Sequence, residues 1–133
     1  MATRNRTARL AARAPQSSNV GTAKIALDLP AQTLWDAYTS VGFGQAPRLD
    51  FPGAVTGRLR PAKTWRPIEQ ATISYGHGVS VTLVQLARAY SVFASDGWLV
   101  PLTLLRADTA ALPVRAMSPD TARAMRKMLE MAV

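Results

Sequence analysis

The sequence predicts a mainly α fold, and three observations carry that expectation. Apolar residues recur at the 3.6-residue helical period in four separate stretches. Those stretches open on serine, threonine or proline, the residue types that start helices. Only one segment, residues 98–105, reads as extended, and Pro101 reduces it to a connector or an edge strand at best.

The first helix is expected over about 18–29. Val20, Ala23, Lys24 and Leu27 fall at i, i+3, i+4 and i+7, with Ile25 widening the stripe, and Pro30 interrupts it. A second helix over 31–41 is expected to bury Leu34, Trp35, Tyr38 and Val41, with Gly42 ending it in a left-handed conformation. Residues 42–61, GFGQAPRLDFPGAVTGRLRP, are too rich in glycine and proline for a regular element and predict a long loop. The clearest helix starts at Thr82, where Thr82 and Gln85 form a T-x-x-Q capping box. Leu83, Leu86, Ala87, Tyr90, Phe93 and Ala94 then keep the helical period until Asp96-Gly97 closes it. Ser118 as cap and Pro119 at the first helical position announce the last helix, which is expected to bury Ala122, Met125, Met128 and Leu129.

The chain has 133 residues, 48% of them hydrophobic, which is enough for one domain with a core. No apolar run approaches the roughly 18 residues of a membrane span, and no secretory signal is recognisable. Without cysteine there are no disulfides and no thiolate nucleophile. His77 is the only histidine and no carboxylate cluster accompanies it, so no metal site is expected. Nothing in the sequence implies a cofactor.

The net charge of +8 is unevenly spread. Arg4, Arg6, Arg9 and Arg13 stand in the first sixteen residues without one acidic residue, while the remaining basic and acidic residues are interspersed. Interspersion marks a solvated surface more than a phosphate-binding face, and nucleic acid is not an expected partner. Residues 1–16 read as a disordered basic arm, with some likeness to a transit peptide; residues 17–133 read as the domain.

Several motifs admit more than one reading. Ser17-Ser18-Asn19 is a good helix start, since serine and asparagine are among the best N-caps. It is also an S-x-N tripeptide of the sort found at serine acyl-transfer sites, yet no S-x-x-K and no K-T-G accompanies it, Lys63-Thr64-Trp65 carrying an indole where the glycine would stand. SYGHG, residues 74–78, brackets His77 with two glycines, either for a close backbone approach or as a plain turn into the next helix. His77 could serve as a base, although no motif places a serine or carboxylate beside it. Met125, Met128 and Met131 read as core filling.

Taken together, SSNVGTAKIAL, GFGQAP, FPGAVTGRL, WRPIEQATISYGHG and VSVTLVQLARAYSVFASDG stand in the order found in the transpeptidase domain of the division-specific class B penicillin-binding proteins, the FtsI family. The chain resembles that family over about residues 16–131. The resemblance implies the helical subdomain of the α+β penicillin-binding transpeptidase, or serine β-lactamase-like, fold, with most of the sheet missing. It implies a serine-type D,D-transpeptidase acting on peptidoglycan stem peptides and acylated by β-lactams. Its parent would be anchored in the inner membrane, face the periplasm and meet divisome membrane proteins. The resemblance makes Ser17 the proton-relaying serine of S-x-N, makes Asn19 the amide that binds peptide or β-lactam, and brings Tyr75 and Gly76 to the substrate side.

The departures set the expectation for this chain. The S-x-x-K nucleophile is absent, K-T-G is absent, and Leu83 stands where the family commonly has proline. The expected reading is an internal piece of the domain, arising by truncation, frameshift or a cut, with apolar faces exposed on its first and last helices and no acyl-transfer activity alone. A non-catalytic basic helical module that binds anionic partners is the alternative. A minimal hydrolase using Ser17 or Ser18 with His77 is a third reading, one that labelling by a penicillin would reveal.

Overall fold

The structure, a computed structural model, describes residues 18–49, 51–106 and 111–132. Its elements run α1 (Asn19–Leu27), α2 (Ala31–Ser40), a single 3-10 turn (Ala62–Thr64), α3 (Pro67–Ile73), α4 (Leu83–Ala94), β1 (Trp98–Leu99), β2 (Val114–Arg115) and α5 (Pro119–Glu130). The two strands pair antiparallel, Trp98 opposite Arg115 and Leu99 opposite Val114. The mainly α expectation holds, with one short two-stranded ribbon added.

The helix boundaries follow the caps. Ser18 Oγ accepts from the Gly21 amide at 3.1 Å and so opens α1. At the end of α2, Gly42 at φ +93° lets its own amide reach Thr39 O while the Phe43 amide reaches Tyr38 O. This is the paired Schellman closure, and the Phe43 ring stacks on Tyr38 with centroids 5.8 Å apart, the apolar contact that accompanies it. The Thr82–Gln85 box forms as expected, each side chain taking the other residue's amide. Ser118 Oγ accepts from the Thr121 amide to open α5.

Burial departs from the expectation in all four predicted helices: Leu34, Trp35, Tyr38 and Val41 of the second stretch are only half-buried, and of the set expected in α5 only Ala122 is fully buried. In α1 the buried residues are Gly21 and Ala26, whereas Val20, from the predicted stripe, is 66% exposed. The small residues win because they let α1 close on α3; Gln70 of α3 then donates to the carbonyls of Ala26 and Leu29, at 2.7 and 2.8 Å, where α1 ends. In α4 the inward face is Gln85, Ala89 and Val92, and Leu83, 84% exposed, lies outside with Leu86 and Tyr90. The ribbon and α5 pack on the Val92 side, and Leu83, Leu86, Ala87 and Tyr90 of the longer apolar stripe are exposed. Among the helices, exposed large apolar side chains fall on α1, on α4 and at Ile68 of α3; on the last helix they are confined to Met131 at its end.

Helix α3 and strand β2 were not expected, whereas β1 falls in the segment read as extended. Residues 67–73 form α3, with Pro67 in the first turn and Glu69 accepting from the Arg66 amide at 2.7 Å. Trp98–Leu99 is a strand in a ladder, and Arg115 lies over the Trp98 ring at 3.9 Å from its centroid.

Packing divides into two groups. Helices α1, α2 and α3 gather with the 3-10 turn, and Ile73 is the largest side chain fully buried there. Helices α4 and α5 gather with the ribbon around Val92, and Ala122 of α5 is fully enclosed. Gln85, only 3% exposed, lies between the groups: its side-chain amide donates to Gln45 O at 2.9 Å and Thr56 O at 2.8 Å. That pins the long loop 42–61 to the start of α4.

Candidate functional site

The S-x-N tripeptide sits where α1 begins. Its middle residue, Ser18, is the cap, and its hydroxyl is committed to Gly21. Asn19 takes the first helical position and is exposed, and among the described residues its carboxamide makes no hydrogen bond. Ser17 lies outside the described residues. Capping and ligand contact are thus compatible here, because the cap uses only the serine between the two candidate site residues.

Tyr75, Gly76 and His77 form the turn that closes α3. Gly76, at φ +96°, donates to Ile73 O at 3.0 Å and the His77 amide donates to Thr72 O at 3.1 Å, again a Schellman closure. Tyr75 and His77 are both exposed. No hydrogen bond among the described residues joins the His77 ring to a serine or a carboxylate, so the constellation needed for a serine–histidine hydrolase is not assembled around it. A Cβ added at Gly76 would meet no atom within 4 Å, so its glycine serves the left-handed turn and not a close contact within the chain.

The turn opens onto a groove. Arg58 and Ser80 exchange two backbone hydrogen bonds, at 2.8 and 3.0 Å, as an isolated antiparallel bridge. Residues directly opposite in such a pair project to the same side, and so do residues two apart on one extended strand. Arg58, Arg60, Gly78 and Ser80 accordingly line one open groove of about 500 Å³. Arg60 and Gly78 are shared with an adjoining recess of about 350 Å³, which also has Thr72 and His77 in its wall.

Electrostatically this groove is positive with one compensating carboxylate. Glu69 pairs with Arg60, and its carboxyl is held below the usual carboxylate range by the Arg66 amide first and by Arg60 second. The Trp65 indole N–H donates to Arg60 O at 3.0 Å, fixing the backbone from the other side. Sequence reasoning singled out neither arginine; G-R-L-R carries only the hint that alternate residues of an extended segment share a side. Among the described residues, no three His, Cys, Asp or Glu side chains converge as metal ligands do.

A helix that starts at Ser18-Asn19, a G-x-G turn after a short helix and a capped helix following it agree with the expected helical part of a penicillin-binding transpeptidase domain, and the comparisons with known proteins show that class. Over residues 2–133 the chain matches the family described as penicillin binding protein transpeptidase domain, and it belongs to that family. It is 41% identical over 114 residues to the protein of Neisseria gonorrhoeae named "Probable peptidoglycan D,D-transpeptidase PenA", a match covering 86% of this chain and 20% of that protein. It is 36% identical over 115 residues to "Peptidoglycan D,D-transpeptidase FtsI" of Escherichia coli K12, with the same two coverages of 86% and 20%. In structure it is similar to the TP domain of Burkholderia pseudomallei penicillin-binding protein 3, with a TM-score of 0.80 and 53% identity over 86% of this chain and 35% of that one. The chain thus spans about one fifth of the length of these curated relatives. The fold expected from the resemblance, the helical portion of a penicillin-binding transpeptidase, is the fold observed.

Proposed function

We propose that the chain is part of a peptidoglycan D,D-transpeptidase of septal cell-wall synthesis, and that by itself it does not turn over. The observation that carries this reading is the 53% identity and 0.80 TM-score to a penicillin-binding protein's transpeptidase domain over most of the chain. In that reading Ser17 relays a proton between nucleophile and leaving group, a task suited to a hydroxyl, which both donates and accepts. Asn19 hydrogen-bonds the stem peptide or β-lactam without altering its charge, and its exposed position at the start of α1 leaves it free to do so. Tyr75 and Gly76 lie on the substrate side of the turn.

Acyl transfer needs a nucleophile, and the sequence holds no S-x-x-K serine–lysine pair and no K-T-G strand. A relay and a binding amide without a nucleophile form no acyl-enzyme. The parent enzyme would be anchored in the inner membrane, face the periplasm and work with divisome membrane proteins; among the described residues no helix is long and apolar enough to cross a membrane.

Translating all frames of the DNA on both sides of this reading frame tests the proposal. An S-x-x-K segment upstream and a K-T-G segment downstream support it. Their joint absence removes it.

A further inference from the structure

The groove of Arg58, Arg60, Gly78 and Ser80 has a chemistry that the acyl-transfer reading does not use. We infer that it is a binding site for a monoanionic carboxylate, with Arg58 as its principal ligand. The inference rests on the groove alone and stands or falls separately from the roles of Ser17 and Asn19.

Four observations carry it. The Arg58–Ser80 bridge fixes both backbones and sets the Arg58 side chain beside the Ser80 hydroxyl on one side of the pair. That bridge is itself held in place, because Gly57 at φ +67° lies so close to Ser80 O that a Cβ would come within 2.3 Å of it. Arg58 makes no side-chain hydrogen bond or ion pair with any described residue, whereas Arg60 is already paired with Glu69. The amides of Gly78 and Val79, in the same wall, make no backbone hydrogen bond among the described residues. A guanidinium fork, a hydroxyl and two amides in the lining of one groove, the fork and amides without partners among the described residues, are the donor types that a carboxylate accepts from, the fork bidentately.

Charge count selects among anions. Glu69 offsets Arg60, so the groove offers about one net positive charge, which suits a monoanionic carboxylate. A phosphate dianion would bring a second charge toward the Glu69 carboxylate and gain less.

The full chain, labelled with nitrogen-15, is titrated at neutral pH and fixed ionic strength with acetyl-Ala-Ala, with acetyl-Ala-Ala-amide and with inorganic phosphate. Saturable shifts of the Arg58, Gly78, Val79 and Ser80 amides are expected with the carboxylate and not with the amide, and phosphate is expected to bind more weakly. Arg58→Gln is expected to weaken carboxylate binding by about fivefold or more, and Arg58→Lys, which keeps the charge but loses the fork, by about half that factor. Arg58 is exposed, so both variants should keep their spectra away from the groove. Arg123→Gln, on α5, is the control for net charge and should leave binding unchanged. Equal response to the amide, equal or tighter binding of phosphate, an unaffected Arg58→Gln protein, or a loss in Arg123→Gln as large as in Arg58→Gln would each overturn the inference.

Discussion

The side chain of Gln85 donates to the carbonyl of Thr56 at 2.8 Å while its own oxygen accepts from the Thr82 amide at 2.9 Å. One buried carboxamide therefore caps α4 and holds the long loop against it. Replacing it by leucine leaves the partly buried Thr56 and Gln45 carbonyls without this donor and removes half the capping box. The expected loss is about 2–4 kcal/mol of stability, read from urea unfolding. Gln85→Glu should also destabilise at neutral pH, because a carboxylate would face those carbonyls; the loss should shrink as the pH falls and the carboxyl protonates.

Gly57 and Gly53 both have positive φ, at +67° and +88°, but only the first is crowded. A Cβ at Gly57 would strike Ser80 O and press on Gln85 Oε1, whereas at Gly53 it would meet nothing within 4 Å. Gly53→Ala should cost about 1 kcal/mol, from backbone strain alone. Gly57→Ala should cost clearly more, about 2–3 kcal/mol, and should lose amide-exchange protection at Arg58 and Ser80.

Arg126 of α5 donates to Phe93 O and to Asp96 Oδ1, both at 2.9 Å, and so closes the end of α4. Arg126→Met, which keeps the aliphatic stem, should lose about 1–2 kcal/mol, because α4 gives up both a donor and a positive charge at its carbonyl end. The ion pair with Asp96 is partly exposed and screened, so Asp96→Asn should cost less than half as much. Thermal unfolding of the two variants, singly and together, measures the difference.

Glu69 supplies a pH signature. Its pKa is lowered from 4.5 in the folded chain, first by the Arg66 amide and then by Arg60, so the native state favours the ionised form. Its contribution is fully present above the unfolded value and disappears as the pH falls through the folded one. Urea midpoints measured from about pH 6 to pH 3 should decline less steeply in Glu69→Gln than in the parent.

Stops and starts were legible in the sequence: Gly42, the Thr82–Gln85 box and Ser118-Pro119 each act within one or two turns, and each forms as expected. Which face of a helix turns inward was less legible. Periodicity finds an apolar stripe but not its partner, and in α1 and α4 the faces of Gly21/Ala26 and Ala89/Val92 are covered instead. Helix α3 escaped notice because its seven residues are too few to show a period, although Pro67 and Glu69 marked its start. Of the proposed site residues, Asn19 and the Tyr75–Gly76 turn are nameable from motifs, and Ser17 lies outside the described residues. The Arg58–Ser80 groove could not be, since it is made by a bridge between two irregular segments that no local pattern links.

In the proposed function this chain carries the relay and binding residues of a transpeptidase without its nucleophile. Incubating the purified chain with a fluorescent penicillin, followed by denaturing electrophoresis and intact-mass measurement, tests it most directly. The account predicts an unchanged mass and no fluorescent band. A stoichiometric adduct that disappears in Ser17→Ala would contradict it, and would make Ser17 a nucleophile in its own right.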